Sequence, residues 1–133
     1  MATTVPLTGY RNVPFPPEVI TFTEAGVARS FTGKTFAMDV RALAGTGPAL
    51  ISLNTATDDT MDGVRAVNAA AGQLRFQIGQ AAMQAAWDAA YAAGLMKAGE
   101  PVALVYDLLV IDTDGLPEAV IEGSFTVHPG VTL

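Results

Sequence analysis

The chain has 133 residues, half of them hydrophobic and 15% charged, with a net charge of −6 and no cysteine. This length and hydrophobic content exclude a disordered chain and are typical of one domain with a real core. The seven Lys and Arg residues are scattered singly, so the clustered cations that a nucleic-acid partner requires are missing. Without cysteine the chain has no disulfide, thiolate nucleophile or sulfur ligand for a metal.

Four of the eight prolines lie in residues 1–17, which we predict to form an extended, irregular arm. Residues 18–133 are predicted to form one β-sandwich domain. Terminal segments without a core role are free to bind, so we expect the arm and the C-terminal tail to contact partners. Deletion of residues 1–17 is then expected to leave the domain folded but to abolish assembly. The interface candidates are Val5, Pro6, Tyr10, Pro14, Phe15, Pro16, Pro17, His128, Val131 and Leu133.

The segment before residue 80 alternates apolar and polar residues with the two-residue period of half-buried strands. The clearest case is Thr35–Arg41, where Phe36, Met38 and Val40 share one face. The other strands predicted there are Glu18–Glu24, Ala49–Asn54, Val64–Asn68 and Gln73–Ile78.

The period then changes, because a stretch dense in alanine and free of β-branched residues predicts a helix over Gln80–Ala93. Met83, Trp87 and Tyr91 recur at i, i+4 and i+8, which predicts one apolar stripe. We expect this stripe to lie on a sheet, with the Trp87–Tyr91 pair holding the helix in place and Gly94 capping its end.

The C-terminal stretch Pro101–Leu133 is predicted to be a long β-hairpin. Its first strand, Pro101–Asp112, is apolar on both faces, which is typical of a central strand covered on each side. Together these patterns predict a mostly β fold, an antiparallel β-sandwich of about six to seven strands with one amphipathic helix (about 80–94) inserted before the hairpin.

The sequence has few of the residues and motifs that common catalytic mechanisms require. Its only histidine, His128, lies at a strand end beside Pro129, whereas triad catalysis needs a base beside a nucleophile. The glycines fall at turns and form neither a phosphate loop nor a dinucleotide fingerprint. We therefore predict that the protein is not an enzyme and has no cofactor.

Three acidic features have other interpretations. Asp58, Asp59 and Asp62 are weak candidates for binding a cation, against the alternative of a solvated acidic loop. The run Asp112–Gly115 resembles the start of a calcium loop, but Asp and Gly are also what a tight hairpin demands. Asp107 stands alone in the apolar strand and is expected to need a partner, such as Arg41, Arg75 or backbone amides.

The first residues lack the basic region and apolar core of a signal peptide. No apolar run reaches the roughly 18–20 residues of a membrane-spanning helix, since the Ala-rich segment is short and contains Gln84 and Asp88. We therefore expect no membrane span and synthesis in the cytoplasm.

Several segments carry a family-like pattern. The run Ser30–Arg41 is similar to a strand of the form "leu-thr-gly-x-thr-x-x-met-x-val-arg", and a closing-hairpin pattern matches at Val105–Leu108, Asp114–Gly115, Glu122–Val127 and Pro129–Thr132. Over about half of the chain, in order, these segments resemble small phage tail proteins encoded near tail-fibre genes. The Ala-rich helix departs from that family, which has a short polar segment in its place.

The resemblance implies a β-sandwich like the N-terminal domain of baseplate upper proteins, which docks onto the tail hub and carries receptor-binding parts. It implies a virion structural role without a reaction, and partners among the tail hub, the baseplate or fibre, and copies of the chain itself. A capsid decoration or head–tail connector protein is an alternative. From another class, a calcium- or carbohydrate-binding β-sandwich module stays open.

Overall fold

The computed structural model describes residues 3–42, 47–95 and 99–130 of the chain. Within them the fold is mostly β, with one helix, and is consistent with the predicted sandwich. The elements are β1 (Thr3–Thr4), β2 (Leu7–Tyr10), β3 (Val19–Thr21), β4 (Thr23–Glu24), β5 (Val27–Ala28), β6 (Thr35–Arg41), β7 (Ile51–Leu53), β8 (Thr55–Ala56), β9 (Gly63–Asn68), β10 (Gln73–Gln77), α1 (Gln80–Ala92), β11 (Val102–Ile111) and β12 (Pro117–His128).

Two sheets make up the sandwich. Sheet A has the order β1-β12-β11-β6-β7, with β2 also paired to β12, and sheet B has the order β3-β10-β9-β8. The predicted hairpin is confirmed as the antiparallel pair β11–β12, and β11 is central because β6 pairs antiparallel on its other side. Most pairings are antiparallel, and the parallel ones involve the short strands β1, β2 and β8.

The core lies between the two sheets and is entirely apolar in the described residues. Every second side chain of β6, β10 and β11 points inward, as the sequence patterns of β6 and β10 predict. The most completely buried large side chains are Phe31, Phe76, Phe125, Met38, Leu74, Met83, Leu104 and Leu108. The sandwich is therefore held mainly by burial of aliphatic and aromatic surface.

The irregular arm predicted for residues 1–17 is wrong at its beginning. Thr3–Thr4 and Leu7–Tyr10 are edge strands that pair in parallel with β12, and Leu7 is buried. Farther along, the Phe15 ring stacks on Phe125 with centroids 5.5 Å apart. The proline content suggested an irregular segment, but Pro6 only separates two strands. Each of these strands is too short to show a clear alternation of apolar and polar residues.

Gly123 allows this N-terminal segment to approach the sheet. The Val5 amide donates a 2.8 Å hydrogen bond to the Glu122 carbonyl oxygen. A Cβ on Gly123, whose φ is +155°, would lie 2.6 Å from the Val5 carbonyl oxygen. Only glycine fits this close approach without displacing the edge strand.

The predicted strand Glu18–Glu24 is divided in the structure. Val19–Thr21 belongs to sheet B, whereas Thr23–Glu24 pairs with Val27–Ala28 in a separate small hairpin. Between them the Phe22 amide donates to the Gly72 carbonyl oxygen at 2.8 Å, beside the last pair of β3 and β10, and the Phe22 carbonyl oxygen accepts from the Arg29 amide at 2.9 Å.

The helix turns only part of the predicted face to the core, since Met83 is buried and Trp87 packs against the core but Tyr91 does not. It buries Met83, Ala86 and Ala90, whereas the Trp87 side chain is half-buried and Tyr91 is 72% exposed. The aromatic staple is therefore wrong, because at 3.6 residues per turn an i, i+4, i+8 series drifts around the helix while i, i+3, i+7 stays on one face. Gly94 does end the helix as predicted, with φ +71° and its amide bonded to the Tyr91 carbonyl. Among the described residues, no helix is long and apolar enough to cross a membrane.

Candidate interaction surface

The outer face of sheet A is open. On β11, Val105, Leu109 and Ile111 point away from the core and are only half-buried, and Asp107 is exposed. The expectation that both faces of this strand are covered is therefore wrong for the described part of the chain. Its apolar outer residues are shielded only in part, by their neighbours in the sheet. The hydrophobic pattern alone does not distinguish such a strand from one that is covered on both faces.

Three carboxylates lie side by side across this face. Asp107 on β11 is directly opposite Asp39 on β6 and directly opposite Glu122 on β12. We call Asp39, Asp107 and Glu122 the acidic row. Because hydrogen-bonded strands are about 4.8 Å apart, each carboxylate is next to the following one. Like charges in such cross-strand positions destabilise a sheet.

Only one member of the acidic row has an ion-pair partner among the described residues. The Asp39 carboxylate accepts hydrogen bonds from Arg41 at 3.0 Å and from the Ser52 hydroxyl at 2.8 Å. Arg41 also donates to the Gly47 carbonyl, so its guanidinium is held at the Asp39 end. Of the partners predicted for Asp107, Arg75 lies on the other sheet, and Arg41 is hydrogen-bonded to Asp39 and acts on Asp107 only by charge attraction. A backbone hydrogen bond, the third predicted alternative, does act on the Asp107 carboxyl.

The surroundings of Asp107 raise the pKa of its carboxyl group. Partial burial raises it above its ordinary value, and the negative charges of Asp39 and Glu122 raise it further. Arg41 and a backbone hydrogen bond act in the opposite direction but do not cancel the rise. The middle of the acidic row thus carries negative charge that the chain itself does not neutralise.

A groove of about 450 Å³ follows the acidic row. Its floor includes the Val105 and Leu109 side chains and the backbone at Gly123, and Thr4 lies at the β1 end. The groove therefore combines aliphatic surface with three carboxylates and the Arg41 guanidinium, a composition that suits a protein partner better than a purely polar one.

The outer face of sheet B carries two neighbouring arginines. Arg65 on β9 is directly opposite Arg75 on β10, and both point outward because their neighbours Val64, Leu74 and Phe76 point into the core. We call Arg65 and Arg75 the arginine pair. Neither forms an ion pair among the described residues, and the Arg75 Nε is buried without a hydrogen-bond partner.

In the acidic loop beside the arginine pair, Asp58 and Asp62 accept hydrogen bonds from other residues of the chain. The Asp58 carboxylate accepts from the Thr60 amide at 2.8 Å and the Thr60 hydroxyl at 2.6 Å, and these bonds lower the pKa of Asp58, with a smaller contribution from Arg65. Asp62 accepts from the Gly79 amide at 2.9 Å, at the start of the helix.

The structure does not assemble the cation-site candidates Asp58, Asp59 and Asp62. Asp58 and Asp62 bind different backbone segments, as described above. In the described ranges no group of three His, Asp or Glu side chains is placed to hold a metal ion. The geometry therefore favours the alternative of a structural, solvated loop.

The N-terminal interface candidates are divided between structural and exposed positions. Val5, Phe15 and Pro16 are half-buried, whereas Pro6, Pro14 and Pro17 are exposed. Tyr10 is 47% exposed, and its ring lies 5.1 Å from that of His128. Val131 and Leu133 lie outside the described residues.

No protein-family model matches the chain, and no curated protein matches it. The surface must therefore be judged from its own geometry. Sequence reasoning singled out Asp107 but missed its neighbours Asp39 and Glu122 and the arginine pair. The signal that could have found them is strand register, since all four occupy outward positions of predicted strands.

Proposed function

We propose that the chain is a virion structural protein, a component of a phage tail, baseplate or tail-fibre attachment, that works through protein–protein contacts. The observation that carries the proposal is the open outer face of sheet A. It exposes a groove of aliphatic and carboxylate side chains on three adjacent strands, which a neighbouring subunit would complete.

The resemblance to phage tail proteins supports this reading at the same place. Its first segment, Ser30–Arg41, contains β6, and its closing hairpin is β11 and β12. These are the three adjacent strands that bear the acidic row. The family-like residues and the open face therefore coincide in space, although they are far apart along the chain.

A contact role also suits the chain's only imidazole. The His128 ring lies against the Tyr10 ring, and the neighbouring Pro129 carbonyl accepts a 2.7 Å hydrogen bond from Arg11. This corner ties the N-terminal segment to the end of β12. The contact with Tyr10 supports a packing role for the His128 ring.

The direct test is mass spectrometry of purified particles made from the genome that encodes the chain. We expect the chain in the particles, and a double variant Asp107→Lys with Glu122→Lys to be lost from them. A matched control, Glu24→Lys with Glu100→Lys, makes the same charge change at two exposed residues away from the groove and should be retained. Absence of the wild-type chain from the particles would contradict the proposal.

The position of the chain within the particle decides between the virion roles. Electron microscopy of particles carrying a gold-labelled chain should place the label on the tail or baseplate. Label on the head shell would instead favour a capsid decoration protein, and label at the neck a head–tail connector.

A further inference from the structure

We propose that the outer face of sheet A in one copy of the chain binds the outer face of sheet B in the next copy, with the acidic row receiving the arginine pair. This inference rests on the proposed function, since it names the neighbour that covers the open face. It is carried by the charges, spacing and aliphatic surface of the two faces.

The acidic row and the arginine pair lie on the two outer faces of one sandwich, one on each sheet. Asp107 and Glu122 are unpaired carboxylates on sheet A, and Arg65 and Arg75 are unpaired guanidinium groups on sheet B. Each pair of like charges costs stability in the isolated chain. A contact that places the acidic row against the arginine pair relieves the repulsion within each pair.

The spacing of the two pairs is the same. Asp107 and Glu122 are directly opposed on hydrogen-bonded antiparallel strands, and so are Arg65 and Arg75. Directly opposed residues have Cβ atoms about 4.5–5.5 Å apart in any such pair. The two guanidinium groups can therefore each lie against one of the two carboxylates at the same time. This arrangement allows charge-assisted hydrogen bonds in addition to long-range attraction.

Both faces also offer aliphatic surface beside the charges. Val105 and Leu109 flank the acidic row in the groove. On sheet B, Val19 lies directly opposite Arg75 and is 42% exposed, and Val67 is 37% exposed. The contact therefore buries apolar area as well as pairing charges, the usual composition of a specific interface.

The arrangement of the charges selects the symmetry of the contact. A two-fold contact of sheet A on sheet A would bring two acidic rows together, and one of sheet B on sheet B would bring two arginine pairs together. The head-to-tail contact brings the acidic row against the arginine pair and so pairs opposite charges. Because its two surfaces are on opposite sides of the molecule, it propagates to a ring or a stack of copies.

The test is a charge swap with purified chains, measured by sedimentation velocity at low and high salt. The A variant is Asp107→Lys with Glu122→Lys, and the B variant is Arg65→Glu with Arg75→Glu. The wild type should self-associate at low salt and dissociate as salt screens the pairs. Each variant alone should lose at least about 100-fold in association constant, because like charges then face each other.

An equimolar mixture of the two variants should associate again, because every contact in an alternating assembly then pairs opposite charges. The control variant Glu24→Lys with Glu100→Lys should associate as the wild type does. Since Arg75 has a buried Nε, circular dichroism checks the fold of the B variant, and Arg65→Glu alone replaces it if that fold is lost.

A wild-type chain that stays monomeric at low salt, or a mixture that does not associate, would overturn the inference. Presence of the chain in particles is measured separately. A chain that enters particles but does not self-associate would leave the proposed function standing with a different neighbour, and this inference would be wrong.

Discussion

The phenol of Tyr106 donates a 2.7 Å hydrogen bond to the carbonyl oxygen of Val5, a residue 101 positions earlier in the chain. Gly123 is directly opposite Tyr106 on β12 and leaves room for Val5 to approach. Burial raises the pKa of the Tyr106 hydroxyl, which keeps it protonated as a donor. The bond fastens the N-terminal segment to the central hairpin.

Replacing Tyr106 by Phe removes this donor and keeps the buried ring. We expect the free energy of unfolding to fall by about 1 kcal/mol, the usual net worth of such a hydrogen bond. Urea denaturation measures the change. Tyr91→Phe is the matched control, because Tyr91 is exposed on the helix and its loss of a hydroxyl should change little. Equal effects of the two substitutions would contradict the role given to Val5.

Deleting residues 1–17 should unfold or strongly destabilise the domain, contrary to the expectation from proline content. The deletion removes the edge strands at Thr3–Thr4 and Leu7–Tyr10 and uncovers Phe125 by removing Phe15. A milder variant, Phe15→Ala, should lower the unfolding free energy by about 1–3 kcal/mol, since Phe15 is only half-buried. A deleted chain with the thermal midpoint of the full chain would show that these strands are dispensable.

Arg11→Gln should change the environment of Trp87, the only tryptophan in the chain. The Arg11 guanidinium lies 5.7 Å from the centre of the Trp87 ring and also donates to the Pro129 carbonyl oxygen. Its loss should increase acrylamide quenching of Trp87 fluorescence and lower stability by about 0.5–1 kcal/mol. Lys34→Gln serves as the control for loss of one cation, and similar quenching in both variants would count against the Arg11–Trp87 contact.

Asp107→Asn should stabilise the isolated chain at neutral pH. Because the folded-state pKa of Asp107 is raised, its contribution to stability is fully present below its ordinary value near 3.8 and is lost as pH rises through the folded-state pKa. The uncharged Asn avoids that loss. As Asp107 is exposed to solvent, we expect a gain of less than about 1 kcal/mol.

The gain from Asp107→Asn should shrink as the pH is lowered below about 4, where the wild-type carboxyl is itself protonated. Denaturation curves between pH 3 and pH 7 measure it. Asp114→Asn, in the exposed hairpin turn, is the control. A gain that does not depend on pH would contradict the electrostatic cause.

Alternation in the sequence is sufficient to predict β6, β10 and the β11–β12 hairpin, because burial on one face imposes a two-residue period. It is insufficient for Thr3–Thr4 and Leu7–Tyr10, which are short and gain their order from pairing with β12. The helix and the burial of Met83 were predicted, but Tyr91 is exposed, since the buried residues Met83, Ala86 and Ala90 follow the i, i+3, i+7 series.

The acidic row shows most clearly where sequence reasoning ends. Asp39 and Glu122 look like ordinary outward residues of separate strands, and only the register of β6, β11 and β12 places them beside Asp107. Register depends on the bulge next to Leu108 and on pairing between distant segments. Neither can be read from local periodicity.

The measurement that tests the central claim most directly is an electron-microscopy map of the assembled particle in which this chain is located. We expect the outer face of sheet A, with Asp107 at its centre, to be covered by a neighbouring subunit. A map in which the chain is present but this face is open to solvent, or in which the chain is absent, would contradict it.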